Sequence, residues 1–372
     1  MTRILQVVSS LDCGGVEKLL LEYCTRICKN SDVHIDIVAF DQKKGLLEDK
    51  FTQLGCRIFK VTRISESLSA MYREICSILK KGNYDVVHCH QGYKSLPVMA
   101  AAYQNGVRSR IAHAHFAFVP ESSLSKALRK TMTFFIKLLA TDLFACGIDA
   151  GRWTWGIRCS DAGLVRVMKN ALDVNRYAFD PDCREQIRNE LGIGDKTVVG
   201  CVARLNYQKN HDFLIDVFNE ITKTADNAVL VLAGDGELYE QISEKVNRYG
   251  ISDKVIFLGA RDDVCRLLNA FDVFVLTSLF EGLPIVLLEA QCNGLHCVAS
   301  DSITKEVNVS DGVDYLSLSD SAGVWSSKIL SSAVRTDKDT AVKNIRNNGY
   351  DIDTEAQKLM GFYKKAGENI GR

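Results

Sequence analysis

Short apolar runs that alternate with longer amphipathic stretches, along almost the whole chain, constrain this sequence most. Residues 4–8 read as a strand, a Gly14-Gly15 turn follows, and residues 17–28 carry helical spacing through Leu20, Leu21 and Cys24. Further strands are expected at 34–40, 56–61, 85–90, 109–113, 143–146 and 164–168, with helices at 67–79 and 122–140. The pattern breaks into a polar connection at 169–181 and then restarts. Strands are expected at 197–203, 228–233, 255–258, 273–277 and 296–300, and helices at 211–222, 236–249, 264–270 and 284–293. Strand followed by helix, repeated, builds a parallel sheet with helices on its faces. Two doubly wound α/β units joined near 170–180 are therefore expected. Ligands of such sheets bind at the carboxyl ends of the strands, so the cleft between two such units is the expected site.

Composition removes other classes. Of the 372 residues, 47% are apolar and 25% charged, which excludes a disordered or fibrous chain. Lys plus Arg (46) balances Asp plus Glu (46), which argues against a general nucleic-acid binder. The balance is uneven, with 24 basic against 16 acidic residues up to Asp173 and 22 against 30 beyond it. The thirteen cysteines are scattered without the paired short spacings of a zinc site and read as reduced core thiols in a cytoplasmic protein. No opening signal peptide is read, because residues 3–8 look like a strand. No apolar run reaches the roughly 18 residues of a membrane span.

Several constellations carry chemistry. Phe280-Glu281-Gly282-Leu283-Pro284 follows a buried strand and opens a helix. Gly282 permits close backbone approach, Pro284 suits a first helical turn, and a helix N-terminus receives an anion such as a diphosphate. Glu281 and Glu289 could accept hydrogen bonds from sugar hydroxyls; the alternative is a capped helix with two solvated glutamates. Arg204 and Lys209 lie in a strand-to-helix loop. A guanidinium fork and an ammonium suit a nucleoside diphosphate and would stabilise its departure without a metal. The alternative is two surface cations. Gly14-Gly15 can expose backbone N–H groups to a phosphate or an acceptor. No G-x-G-x-x-G or Walker sequence is present, which argues against a dinucleotide dehydrogenase or a P-loop NTPase. His88 and His90 end one strand, and His113 and His115 another. These imidazoles read as polar active-site groups, structural hydrogen-bonding groups or, with no acidic partner in support, metal ligands.

In combination the chain resembles family 4 of the glycosyltransferases, in the branch that builds bacterial exopolysaccharide and capsule. The resemblance rests on Gly14-Gly15-Val16-Glu17, Asp85-Val86-Val87-His88-Cys89-His90, Asn170-Ala171-Leu172-Asp173, Arg204 with Lys209, Gly234-Asp235-Gly236, and Glu281 and Glu289 with seven residues between them. It implies the GT-B fold, with an acceptor-side Rossmann-like domain at 1–172, a donor-binding one at 173–350, and a segment at 351–372 that crosses back onto the first. It implies retaining transfer from a nucleotide sugar, with uridine diphosphate as the expected carrier, to a saccharide or lipid-linked acceptor, with no cofactor and no metal. Arg204 and Lys209 would bind the diphosphate, Glu289 the ribose, and Glu281 with Gly282, Leu283 and Pro284 the donor sugar. Gly15, Gly234 and Gly259 would approach the donor. His115 matches the active-site histidine, with His113 in reserve, and Gly14, His90 and His113 would lie on the acceptor side. Rival readings are a nucleotide-sugar epimerase of the same architecture and a non-catalytic sugar-nucleotide-binding subunit.

Residues 122–139 interleave Lys126, Arg129, Lys130 and Lys137 with Leu128, Phe134, Phe135 and Leu138. A basic amphipathic helix can lie on anionic lipid at the inner face of a membrane; its alternative is a packed helix with a solvated basic edge.

Overall fold

The computed structural model describes residues 1–12, 14–116 and 122–368. Cys13 and the last four residues of the expected crossover segment lie outside them. The chain divides into two compact units, one of Met1–Ala171 with Asp351–Arg372 and one of Leu172–Tyr350.

In the first unit the strands are β1 (Thr2–Val8), β2 (Val33–Ala39), β3 (Ile58–Lys60), β4 (Val86–Cys89), β5 (Ser109–Ala114), β6 (Asp142–Ala145) and β7 (Val165–Val167). They form one parallel sheet in the order β3-β2-β1-β4-β5-β6-β7. The second unit has β8 (Thr197–Val202), β9 (Ala228–Ala233), β10 (Val255–Phe257), β11 (Val273–Leu276), β12 (His296–Ser300) and β13 (Val313–Leu316). Its parallel order is β10-β9-β8-β11-β12-β13. Both sheets are therefore doubly wound, and the winding reverses beside the first strand of each. The reversal leaves a crevice at the carboxyl ends of β1 and β4 in one unit, and of β8 and β11 in the other.

The central strands are covered on both faces, which is why they read as near-continuous apolar runs, interrupted in the first unit by the buried Gln6 and His88. All six residues of β9 are buried. In the second unit Leu214, Phe218, Trp325 and Ile329 pack against them. Each large apolar side chain so buried contributes about 1.5–3 kcal/mol. In the first unit the helix Ile352–Glu368 packs on the helix Gly15–Ile27 and on β1 and β4. Its Tyr363 is fully buried, and Asp353 and Lys364 pair with Arg26 and Asp32, each at 3.1 Å.

Helices at Glu48–Gln53, Ile148–Trp155, Ile157–Asp161, Ala322–Ser331 and Lys338–Asn347 were not expected, and three further differences have a physical reason. The polar connection at 169–181 holds the one-turn helix Val174–Tyr177, and the helix Pro181–Glu190 starts in it. Asp173 and Asp180 cap these helices by accepting backbone N–H groups two and three residues on. The helix Leu96–Gln104 was not expected, because LPVMAAAYQ carries no polar face to reveal a helical period. Strand β13 reads Val-Asp-Tyr-Leu and lies at the sheet edge, where burial is partial and the apolar signal weak. Among the described residues no helix is long and apolar enough to cross a membrane.

Candidate active site

In the second unit the loop after β8 meets the loop after β11. The first carries Arg204 and a 3-10 turn, Tyr207–Lys209, whose start is capped by Asn206 accepting from the Lys209 amide. Asn210 then takes a left-handed conformation (φ 52°) that turns the chain into the helix His211–Thr222. The Thr277 hydroxyl donates to the carbonyls of Lys209 and Asn210 at 3.2 and 3.0 Å, and the Leu279 amide donates to the Gln208 carbonyl at 2.8 Å. These bonds hold the two loops in one arrangement.

Glu281 is the centre of this arrangement and is buried. Its carboxylate receives the Lys209 ammonium, the Ser278 hydroxyl at 2.7 Å and the Gln208 amide at 3.2 Å. The Gln208 amide also donates to the Phe280 carbonyl at 2.9 Å. Arg204 is exposed, and its guanidinium has no hydrogen-bond or ion-pair partner among the described residues. Leu283 and Pro284 are buried, and the helix Ile285–Cys292 begins directly after Pro284. On that helix the half-buried Glu289 accepts a hydrogen bond from the Tyr177 hydroxyl, whose proton is held more tightly by burial and then by the carboxylate beside it.

Gly234 and Gly236 have a packing reason. Gly234 has φ 148°, and a Cβ there would fall 1.9 Å from the Ala203 carbonyl oxygen. A Cβ on Gly236 would fall 2.3 Å from the Leu205 carbonyl oxygen. The Leu205 amide donates to the Asp235 carbonyl, and the Gly234 amide to the Gly259 carbonyl at 2.8 Å. The loop after β9 is thus pressed against the Arg204 loop and bonded to the loop after β10.

In the first unit Gly14 precedes the helix Gly15–Ile27, with Gly15 exposed and Glu17 buried. Gln6 pairs in register with His88 across β1 and β4. His88 and His113 are wholly buried, His90 nearly so, and His115 half-buried. The rings stack, with centroids 4.3 Å apart for His88 and His90 and 4.1 Å for His113 and His115. His88 Nε2 lies 3.0 Å from His113 Nδ1, and His90 Nδ1 lies 2.9 Å from His115 Nε2. Burial lowers the pKa of all four, to about 3 for His88 and about 4 for His115, so the cluster is neutral near pH 7. Ligand atoms of His88, His90 and His113 lie within 4.8 Å of one another, a spacing that suits a metal ion.

Comparison with known proteins decides the family. The profile of "Glycosyl transferases group 1" matches residues 183–330. EpsF of Bacillus subtilis (strain 168) is 32% identical over 369 residues, covering 97% of this chain and 96% of that protein. The chain belongs to the group 1 glycosyl transferases. A "UDP-Gal:alpha-D-GlcNAc-diphosphoundecaprenol alpha-1,3-galactosyltransferase" of Escherichia coli is 28% identical over 332 residues, covering 84% of this glycosyltransferase and 82% of that one. Among solved structures, Anabaena Alr3699/HepE in complex with UDP matches with a TM-score of 0.79 at 20% identity, covering 98% of this chain and all of that one. The fold is GT-B, built from two Rossmann-like parallel-sheet domains.

The structure brings Lys209, Glu281, Gly282, Leu283 and Pro284 together, sets Arg204, Gly234 and Gly259 in neighbouring loops, and gives Glu289 to Tyr177. It does not offer His90 and His113 to solvent. Both nitrogens of His90 and Nδ1 of His113 are engaged inside the cluster, His113 Nε2 is buried, and His115 is the most exposed of the four. Arg129, expected at a membrane surface, is corrected: it is 8% exposed, its guanidinium lies 4.5 Å over the Trp153 ring, and it donates to the Trp153 carbonyl. A helix position facing Trp153 buries its charge whatever its sequence neighbours. Sequence reading missed Gln208, Ser278 and Tyr177. Gln208 carried a signal, because it adjoins Lys209 in the same loop.

Proposed function

We propose that this glycosyltransferase moves a sugar from a uridine diphosphate donor to a saccharide or lipid-linked saccharide, with retention and without a bound metal, in the assembly of a surface polysaccharide. The observation that carries the reading is the Lys209–Glu281 pair at the β8–β11 crevice, beside an unpartnered Arg204. A departing diphosphate gathers negative charge, and preorganised cations lower the energy of that state more than that of the bound donor. In the free protein Glu281 neutralises Lys209. Donor phosphate competes for the ammonium, and the carboxylate, still held by Ser278 and Gln208, turns to the hydroxyls of the donor sugar. Glu289, oriented by Tyr177, accepts from the ribose hydroxyls.

In the retaining step the anomeric C–O bond to phosphate breaks as the bond to the acceptor oxygen forms on the same face. The acceptor proton passes to the departing phosphate oxygen. Uridine as the base is supported by the named donor of the Escherichia coli relative and by the UDP bound to HepE. A lipid-linked acceptor is supported by the diphosphoundecaprenol in that relative's name. The test is incubation with a panel of nucleotide sugars and a diphosphate-linked lipid saccharide, with and without EDTA. The expected result is EDTA-resistant transfer from a UDP-sugar, with the product keeping the donor's anomeric configuration by NMR. An inverted product, an EDTA-sensitive reaction or isomerised donor in place of transfer would each refute a stated part.

We also propose peripheral contact with anionic membrane through the helix Ser123–Leu139. Lys126 and Lys130 are exposed on it, as are Leu124, Leu128, Phe134, Phe135 and Leu138. Each cation near an anionic surface adds about 1 kcal/mol. Lys126→Glu with Lys130→Glu should abolish co-sedimentation with phosphatidylglycerol vesicles, and unchanged co-sedimentation refutes the contact.

A further inference from the structure

The histidine cluster holds a hydrogen-bonded chain that the transfer chemistry above does not use. Gln6 of β1 is 1% exposed and joins two branches. Its Nε2 donates to the Tyr363 hydroxyl at 2.9 Å, and its Oε1 faces His90 Nε2 at 2.9 Å. Tyr363 Oη lies 2.6 Å from His88 Nδ1. Beyond these atoms run the two imidazole pairs, His90 with His115 and His88 with His113.

A neutral imidazole has one N–H and one lone pair, so the direction of one bond dictates the next. An amide oxygen only accepts. His90 therefore carries its proton on Nε2, and its bare Nδ1 accepts from His115. His115 must then also be protonated on Nε2, which leaves its Nδ1 bare. On the other branch Tyr363 accepts from Gln6 and donates to His88 Nδ1. His88 Nε2 then donates to His113 Nδ1, and the His113 proton lies on Nε2. That Nε2 is buried and has no partner among the described residues. Turning the Gln6 amide over would reverse every bond in the chain and leave His115 protonated on Nδ1.

We propose that Gln6, clamped by Tyr363 of the C-terminal helix, is a positioning residue that sets one tautomer across all four histidines, so that His115 offers an unprotonated Nδ1 to a hydroxyl of the bound sugar. The last clause rests on the reading of His115 as the histidine that meets substrate; the tautomer assignment does not. The side chain that decides the protonation of His115 belongs to a different strand, and its clamp comes from the far end of the chain.

The experiment is long-range 1H–15N correlation on full-length protein labelled at histidine nitrogens, with transfer kinetics on the same samples. In the wild type all four rings should show a protonated Nε2 and a pyridine-type Nδ1. Gln6→Leu substitutes an apolar side chain of similar size and removes the director. The His90 and His115 shifts should then move towards a mixture of tautomers, and kcat should fall about tenfold, the worth of one hydrogen bond, with the donor KM unchanged. Gln6→Glu keeps an oxygen opposite His90 and should restore the His115 tautomer even where stability is lost. Tyr363→Phe should disturb the His88 branch as well. A wild-type His115 protonated on Nδ1 overturns the proposal, as do ring shifts in Gln6→Leu identical to the wild type. Stoichiometric zinc binding that moves all the ring shifts would also overturn it, because a metal would then set the tautomers. Moved shifts with unchanged kcat would refute the link to substrate and leave the transferase reading intact. An absence of transfer with wild-type tautomers as stated would refute that reading instead.

Discussion

Replacing Lys209 by Met tests both the stability and the chemistry of the β8–β11 crevice. The Glu281 side chain is 8% exposed and that of Lys209 18%, so the pair is largely withdrawn from water. Removing the cation leaves a buried carboxylate with only the Ser278 and Gln208 donors among the described residues. Breaking a buried pair from one side costs about 3–5 kcal/mol. The remaining donors and the partial exposure of Lys209 bring this to about 2–3 kcal/mol, near the worth of one hydrogen bond to a charged group. For a unit the size of Leu172–Tyr350 that corresponds to a fall in Tm of roughly 4–12 °C. Differential scanning calorimetry and urea titration of Lys209→Met, Glu281→Met and the double variant measure it. The double variant should recover most of the loss, because no uncompensated charge remains buried. Transfer activity should be lost in all three, since neither the cation nor the carboxylate is then available to the donor. A Lys209→Met protein as stable as the wild type, or a double variant no more stable than that single one, would refute the reasoning.

Three further outcomes are expected. Arg204→Met should weaken UDP binding by calorimetry without moving Tm, because the guanidinium has no partner among the described residues; a lower Tm would show that it holds the fold. Gly234→Ala should destabilise the second unit by at least about 1–3 kcal/mol from backbone strain alone, with the overlap on the Ala203 carbonyl adding to it; urea titration with an unchanged midpoint would contradict the packing argument. The buried imidazoles have folded pKa values below the unfolded value, so the unfolded chain binds more protons as pH falls. Stability should be full above about pH 6.5 and decline towards pH 4, by up to about 1.4 kcal/mol per pH unit for each ring that must charge. A Tm flat from pH 7 to pH 5 would contradict this.

What the sequence alone determined is local. A strand covered on both faces needs apolar residues at nearly every position, so β8, β9 and β11 were visible as apolar runs and β1 as one interrupted by Gln6. Helices such as His211–Thr222 showed their 3.6-residue period because one face met water, Leu96–Gln104 failed to show it for lack of that contrast, and Glu48–Gln53, Ile148–Trp155, Ala322–Ser331 and Lys338–Asn347 were also not read. Loops at strand ends were equally legible, and with them Arg204, Lys209, Glu281 and the histidines as residues near a crevice.

Tertiary structure decided which of these residues meet. Lys209 and Glu281 are 72 positions apart, and they touch because the sheet order sets β11 directly beside β8. Gln6 and Tyr363 are 357 positions apart and meet because the last helix packs on β1. Arg129 reads in sequence like its neighbours Lys126 and Lys130, yet one helical face turns it onto Trp153 and leaves the other two in water. Periodicity says that a residue lies on a face. The partner on that face is chosen by strand order and helix packing, through contacts between segments whose separation along the chain leaves no mark in either.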